Sequence, residues 1–321
     1  MIGINKIAIV FDTNSYRGFV SGKNTDEVIN SLKDLKESER KKNIIALAAP
    51  IVALEMLSHL SDGSEGPHFK DCFNGSIAMA LHTSDDNFKS DIILEPFLQL
   101  SNSFFLTRIP EKVEENQNII GVTRDLAREP EKALRHHIEK RTFFKIKAFL
   151  DDKEKEFCDN IIRGIEGAKL DIKKGNPNIT NKLLNKKLLK LFKSQDFKNF
   201  QAIAILTAVA TLINSDLLNN GNEIINRALK MNKEMPFTSG FRCWLFNKII
   251  EDNIDMNSKV SREKRWNWIW DEQIVSYISE SKLSGREVII VTGDKDITKV
   301  LHEYGYNNKV MTLEKYIAFI S

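Results

Sequence analysis

The chain has 321 residues, 42% of them hydrophobic and 28% charged, values that exclude wholesale disorder, collagen-like structure and coiled coil. Its formal net charge of +3 neither demands nor forbids a polyanionic partner, so local clustering has to decide. Three widely spaced cysteines, Cys72, Cys158 and Cys243, exclude a disulfide framework and a Cys-x-x-Cys zinc site, and a reducing cytoplasm is the expected compartment.

Residues 4–11 alternate and then run apolar through Ile7-Ala8-Ile9-Val10-Phe11, which reads as a buried strand ended by the polar cluster Asp12-Thr13-Asn14-Ser15. The apolar run stops at Asp12 and not at a small-residue cleavage site, so no signal peptide is expected. Residues 25–42 read as a helix capped by Asn24 or Thr25, with Val28, Leu32 and Leu35 on one face. A short strand is expected over 44–48, then a helix from Pro50 to Leu60 with proline in its first turn, then a loop over 62–67. From there to about residue 260 the pattern is mostly helical and shows no repeat; the adjacent His136 and His137 point in different directions on a helix and carry no metal spacing. Residues 200–215 are apolar and uncharged but too short for a membrane span, and read as a buried helix.

The last sixty residues return to α/β character. A helix over 271–281 is broken by Gly285, and Glu287-Val-Ile-Ile-Val-Thr292 is a continuous apolar run of the kind buried on both faces of a parallel sheet. A Gly293-Asp294-Lys295-Asp296 turn follows, then a helix over 297–304, a strand over 310–313 and a helix over 314–320. The fold class is α/β: one parallel sheet built from both chain ends, with a large, mainly helical insertion.

The two clearest strands each end in an acid, Asp12 and Asp294, with Asp296 close to the second. Ligands of open parallel sheets bind beyond the carboxyl ends of the strands. Two carboxylates converging there repel unless a proton or a cation intervenes, and hard oxygen donors point to Mg²⁺ or Mn²⁺. The competing explanation is that Asp12 and Asp294 simply close turns and cap the next helices. Thr13, Asn14 and Thr292 sit at the same strand ends, suited to orient a ligand or a water, or equally to cap the turns.

Ile9-Val-Phe-Asp12-Thr-Asn14 resembles the opening of a PIN-domain nuclease, and Ile290-Val-Thr-Gly-Asp294-Lys-Asp296-Ile297 resembles that family's closing strand and acid motif. The helix from Pro50 to Leu57 is similar to the one carrying the family's second acid, and the tail from Gly305 to Ile317 to its last strand and helix. The resemblance covers residues 1–66 and 262–321, a discontinuous nuclease-like core, and leaves 67–261 as an insertion of unassigned role. It implies four acids around divalent metal: Asp12 first, Glu55 second, Asp271 third, 23 residues before Asp294, the fourth. Asp296 is an adjacent metal-ligand candidate and Glu272 a rival for the third place. The implied activity is phosphodiester hydrolysis, with RNA favoured over DNA, in a toxin, defence or housekeeping role.

Two segments could hold nucleic acid. Arg262, Lys264 and Arg265 precede Trp266, Trp268 and Trp270, whose alternation puts the rings on one side if the segment is extended. Lys182, Lys186, Lys190 and Lys193 form one stripe of a helix, opposite Leu184, Leu188 and Leu191. Residues 132–147, with six Lys or Arg against one Glu, add basic charge alongside these two segments. Packing by the tryptophans and a solvated lysine face are the competing explanations. The expected partner is nucleic acid, with no membrane association; an inhibitor or regulatory protein and an oligomer are left open. The alternative functions are a non-catalytic PIN-like binding module and a haloacid-dehalogenase-like phosphatase, against which Asn14 stands where a second aspartate is needed.

Overall fold

The computed structural model describes residues 7–265, 267–279 and 286–321; residues 4–6, Trp266, Ser281 and Gly285, on which some of the readings above fall, lie outside these. In chain order the elements begin β1 (Ile7–Phe11), α1 (Thr13–Val20), α2 (Thr25–Lys41), β2 (Ile44–Ala46), α3 (Pro50–Ser58) and α4 (Phe69–Thr83). Helices follow: α5 (Pro96–Phe105), α6 (Pro110–Arg128), α7 (Pro130–Glu139), α8 (Thr142–Gly175), α9 (Asn181–Phe192), α10 (Gln195–Leu212), α11 (Gly221–Glu234), α12 (Pro236–Glu251), α13 (Lys259–Glu263) and α14 (Trp268–Val275). The chain closes with β3 (Glu287–Val291), α15 (Lys295–Glu303), β4 (Val310–Met311) and α16 (Leu313–Ile320). None of these helices is long and apolar enough to cross a membrane.

The fold is mixed α/β, with a four-stranded sheet in the order β2-β1-β3-β4 and every pairing parallel. β1 and β3 pair in register from Ile7 with Glu287 to Phe11 with Val291, so the two chain ends supply the central strands. Both read as unbroken apolar runs because helices cover both faces: Ala8, Ile9, Val10, Ile290 and Val291 are fully buried. Three strand ends on one edge of the sheet turn directly into helices through a side-chain cap. Asp12 caps α1, Asp294 caps α15 and Thr312 caps α16. That last cap is why β4 is two residues long and not the four expected: Thr312 already serves the helix.

The chain divides into two compact units. The first holds the sheet and comprises residues 7–99, 108–150 and 286–321; the second is helical and comprises 100–107 and 151–279. The divide therefore falls elsewhere than at residues 66 and 262. Helices α4, α6 and α7 belong with the sheet because α4 packs on α1, α2 and α3 and α6 packs on α3 and α4. α14, expected with the terminal core, belongs to the helical unit, where it packs on α12.

Three local readings need correction. Trp268 and Trp270 are not on an extended segment: α14 starts at Trp268, and both are buried, Trp270 donating its indole N–H to Glu154 at 2.6 Å. α14 also stops at Val275, short of the expected end. On α9 the buried face is Leu184, Leu188 and Phe192, while Leu191 is exposed, because the helical period brings Phe192 under Leu188.

Beneath the sheet edge the first unit buries a polar cluster. Glu39 on α2 accepts from Nε2 of His82 at 2.8 Å and from the Tyr316 hydroxyl at 2.6 Å, and Nδ1 of His82 lies 3.2 Å from the Tyr16 hydroxyl. Phe11 packs against Tyr16, His82 and Tyr316, with ring centroids 5.0 to 5.4 Å apart. α1, α2, α4 and α16 are thus fixed to one another directly behind the end of β1.

Candidate functional site

The site is built where β1 and β3 end side by side. The order of the sheet reverses between these strands, the position at which doubly wound sheets open a ligand crevice. The backbone N–H of Asp12 donates to the carbonyl of Val291 at 3.0 Å, and the Ser15 hydroxyl donates to the same carbonyl at 2.8 Å, which locks the start of α1 to the end of β3.

Asp12 is 3% exposed. Its Oδ1 accepts from the backbone N–H of Ser15 at 2.6 Å, and its Oδ2 accepts from the Thr292 hydroxyl. The Thr292 oxygen in turn accepts from the backbone N–H of Asp294 at 2.9 Å. Oδ1 of Asp294 accepts from the backbone N–H groups of Asp296 and Ile297 at 2.7 and 2.8 Å. Burial pushes the Asp12 carboxyl above its usual range; hydrogen bonds from Thr292 and Ser15 oppose that, and the negative charge of Asp294 adds to it.

Glu55 joins from the other side. It is the single charged residue of α3, whose remaining positions apart from Ser58 are buried. Its Oε2 accepts from the Thr13 hydroxyl at 2.5 Å, one residue after Asp12. Two hydroxyls serve these acids: Thr13 donates to Glu55, and Thr292 donates to Asp12 while accepting from the backbone N–H of Asp294; Thr13 joins Asp12 through the peptide chain. Asn14, the remaining polar residue of the strand ends, is exposed in the first turn of α1. Asp296 is half-buried in the first turn of α15.

Asp271 and its rival Glu272 lie on α14, in the helical unit, whereas Asp12, Glu55, Asp294 and Asp296 lie in the sheet unit. Glu272 is committed to an ion pair with Arg242 at 2.7 Å; burial pushes its carboxyl up, and Arg242 opposes this. Among the described residues, no three His, Cys, Asp or Glu side chains gather as a set able to hold a metal ion. What the sheet edge offers is hard-oxygen chemistry: two neighbouring aspartates whose like charges a divalent cation would neutralise, with Oδ2 of Asp294 accepting no hydrogen bond among the described residues.

A basic group that was not among the expected site residues lies on α1, the helix capped by Asp12. Arg17 lies one helical turn after Thr13, and its Nη2 donates to Nδ1 of His68 at 2.7 Å. His59, one turn after Glu55, stacks edge-on to His68 with ring centroids 5.3 Å apart. The spacings Thr13 to Arg17 and Glu55 to His59, each four residues, were the available signal.

The basic residues expected to hold nucleic acid divide by environment. Lys182, Lys186 and Lys190 are exposed and make no ion pair among the described residues, while Lys193 pairs with Glu251 at 2.5 Å. Arg262 faces Asp159 at 3.4 Å, Arg265 donates to Ser261 and lies over the Trp268 ring, and Lys264 is exposed. In the 132–147 segment, Lys132 pairs with Glu129 and Lys147 with Asp62.

No family model matches this chain, and comparison with curated proteins and with solved structures gives no match either.

Proposed function

We propose that the protein is a Mg²⁺- or Mn²⁺-dependent nuclease that cleaves phosphodiester bonds, RNA in preference to DNA, at the shared end of β1 and β3. The observation that carries this reading is the pairing of Asp12 and Asp294 through Thr292 at the point where the strand order reverses. A buried aspartate beside a second one is costly as a bare dianion, and a divalent cation offsets that cost.

Asp12 and Asp294 would hold the cation, with Asp296 a further oxygen donor nearby. When bound, it would make a water nucleophilic and neutralise charge gathering on the phosphate. The protein's own groups supply the orientation. Thr292 and the Ser15 amide fix both oxygens of Asp12, and the amides of α15 fix Oδ1 of Asp294, leaving Oδ2 without a hydrogen bond among the described residues. Thr13 holds Glu55 through its hydroxyl, and that carboxylate would accept the proton from the attacking water. Asp271 enters no step of this scheme.

The PIN-like assignment rests on the motifs around Asp12, Glu55 and Asp294. The second reading is a non-catalytic nucleic-acid-binding module of the same fold, favoured by the capping work both aspartates already do. Incubation of labelled single-stranded RNA and DNA with Mg²⁺, Mn²⁺ or EDTA, beside p-nitrophenyl phosphate, separates the readings. Metal-dependent cleavage of RNA supports the nuclease; binding without cleavage supports the module; phosphatase turnover alone overturns both.

A further inference from the structure

We propose that Arg17, held by His68, is the anion-binding group of this site and takes a backbone phosphate oxygen of single-stranded RNA next to the acids. The inference rests on the nuclease reading for its substrate but not for its chemistry.

Arg17 extends from the same face of α1 as Thr13, whose hydroxyl holds Glu55. It is half-buried, its Nε–H is buried without an acceptor, and it forms no ion pair among the described residues. An arginine partly withdrawn from water with no carboxylate against it is an uncompensated cation, and its planar fork matches phosphate. Among the described residues, its one side-chain hydrogen bond goes to an imidazole nitrogen. Because the guanidinium can only donate, Nδ1 of His68 accepts, and the His68 proton resides on Nε2. His68 therefore fixes the fork without neutralising it.

The charge lies on the Glu55 side of the site: Arg17 follows Thr13, the residue that holds Glu55, by one helical turn. Both Arg17 and Glu55 act on the Cys72 thiol, which burial pushes up to about 12, Arg17 lowering it and Asp71, Glu55 and Asp62 raising it. Burial lowers the titration of His59, and His68, Arg17 and Lys147 lower it further against Asp62. Lys147 is already paired with Asp62 at 3.1 Å, whereas Arg17 has no carboxylate partner among the described residues. A nuclease whose acids hold the metal needs a separate group to seat the substrate phosphate, since the acids themselves repel it.

The test is the binding of a short fluorescein-labelled single-stranded RNA to the full chain in EDTA, where no turnover occurs, together with cleavage kinetics in Mn²⁺. Arg17→Gln should weaken binding about tenfold and flatten log K against log salt by about 0.7, the slope of one single-strand phosphate contact. Arg17→Lys should recover the salt slope but not the affinity, because a point charge replaces the fork. His68→Ala should raise KM while leaving kcat unchanged. Inorganic phosphate should compete with RNA for the wild type and not for Arg17→Gln. If the wild type binds with this pattern yet cleaves nothing, the nuclease reading fails and the phosphate site stands. If Arg17→Gln, melting like the wild type, keeps its RNA affinity, salt slope and KM, the proposal is overturned while the nuclease reading survives. A wild type that binds no RNA in EDTA overturns it as well.

Discussion

Thr292 donates its hydroxyl hydrogen to Oδ2 of Asp12, 280 positions earlier in the chain, and accepts from the backbone N–H of Asp294. One buried side chain thus sets the position of both aspartates and ties the two chain ends at the edge of the sheet.

Thr292→Val removes this link while keeping the shape of the side chain. The change should cost about 1–3 kcal/mol, since Asp12 and the Asp294 amide each lose a buried partner. It should also weaken metal binding, because Asp12 loses the hydrogen bond that favours its charged form. Urea unfolding and calorimetric Mn²⁺ titration check the two effects. Unchanged stability and unchanged metal affinity would show the bond to be incidental.

Asp12→Asn should change how stability depends on pH. Because the folded carboxyl titrates above its unfolded value near 3.9, its stabilising contribution is complete below that value and is lost as pH rises through the raised folded value. The asparagine variant escapes this loss. In metal-free buffer its melting temperature should equal or exceed that of the wild type at pH 7, and the gap should close toward pH 3. A variant melting well below the wild type at pH 7 would assign Asp12 a purely structural role.

At Asp294 two substitutions separate capping from charge. Asn keeps a side-chain oxygen for the Asp296 and Ile297 amides, whereas Ala does not. Asp294→Ala should cost about 1 kcal/mol of stability and Asp294→Asn a few tenths. Both should abolish the rise in melting temperature that Mn²⁺ gives the wild type, an effect that EDTA should reverse there. Retention of the Mn²⁺ shift in Asp294→Asn would remove this residue from the metal site.

On α9, changing Lys182, Lys186 and Lys190 to Gln keeps helix propensity nearly constant. If the stripe touches phosphates, binding should weaken about equally for many RNA sequences and the salt slope should flatten by about 0.7 per contact. Lys193→Gln should do less, since Lys193 already faces Glu251. Equal binding by the triple variant would mark the stripe as a solvated face.

Much of the site frame was legible because local signals and the fold agree. β1 and β3 are unbroken apolar runs ended by aspartates, Asn24 and Glu27 close a capping box at α2, and Pro50 opens α3. Glu55 came from the resemblance of its helix to the one carrying the family's second acid, and the Thr13 contact places it one residue along from Asp12. What escaped depended on chain segments meeting in space. Arg17 and His68 are 51 positions apart, and Glu39 and Tyr316 are 277 apart, so no periodicity announces either pair. The tryptophan alternation left base stacking and packing both open, and helix α14 makes Trp268 and Trp270 packing. The resemblance implied Asp271 as the third acid; the structure shows it on α14, a helix of the second compact unit.

The most direct measurement is the cleavage rate of labelled single-stranded RNA against Mn²⁺ concentration, for the wild type and for Asp12→Asn shown to be folded by its melting curve. The account predicts saturable, EDTA-sensitive cleavage by the wild type and a loss of at least about a hundredfold in the variant, the range seen when a group acting on the transition state is removed. Cleavage by Asp12→Asn at the wild-type rate and with the same Mn²⁺ dependence would contradict it.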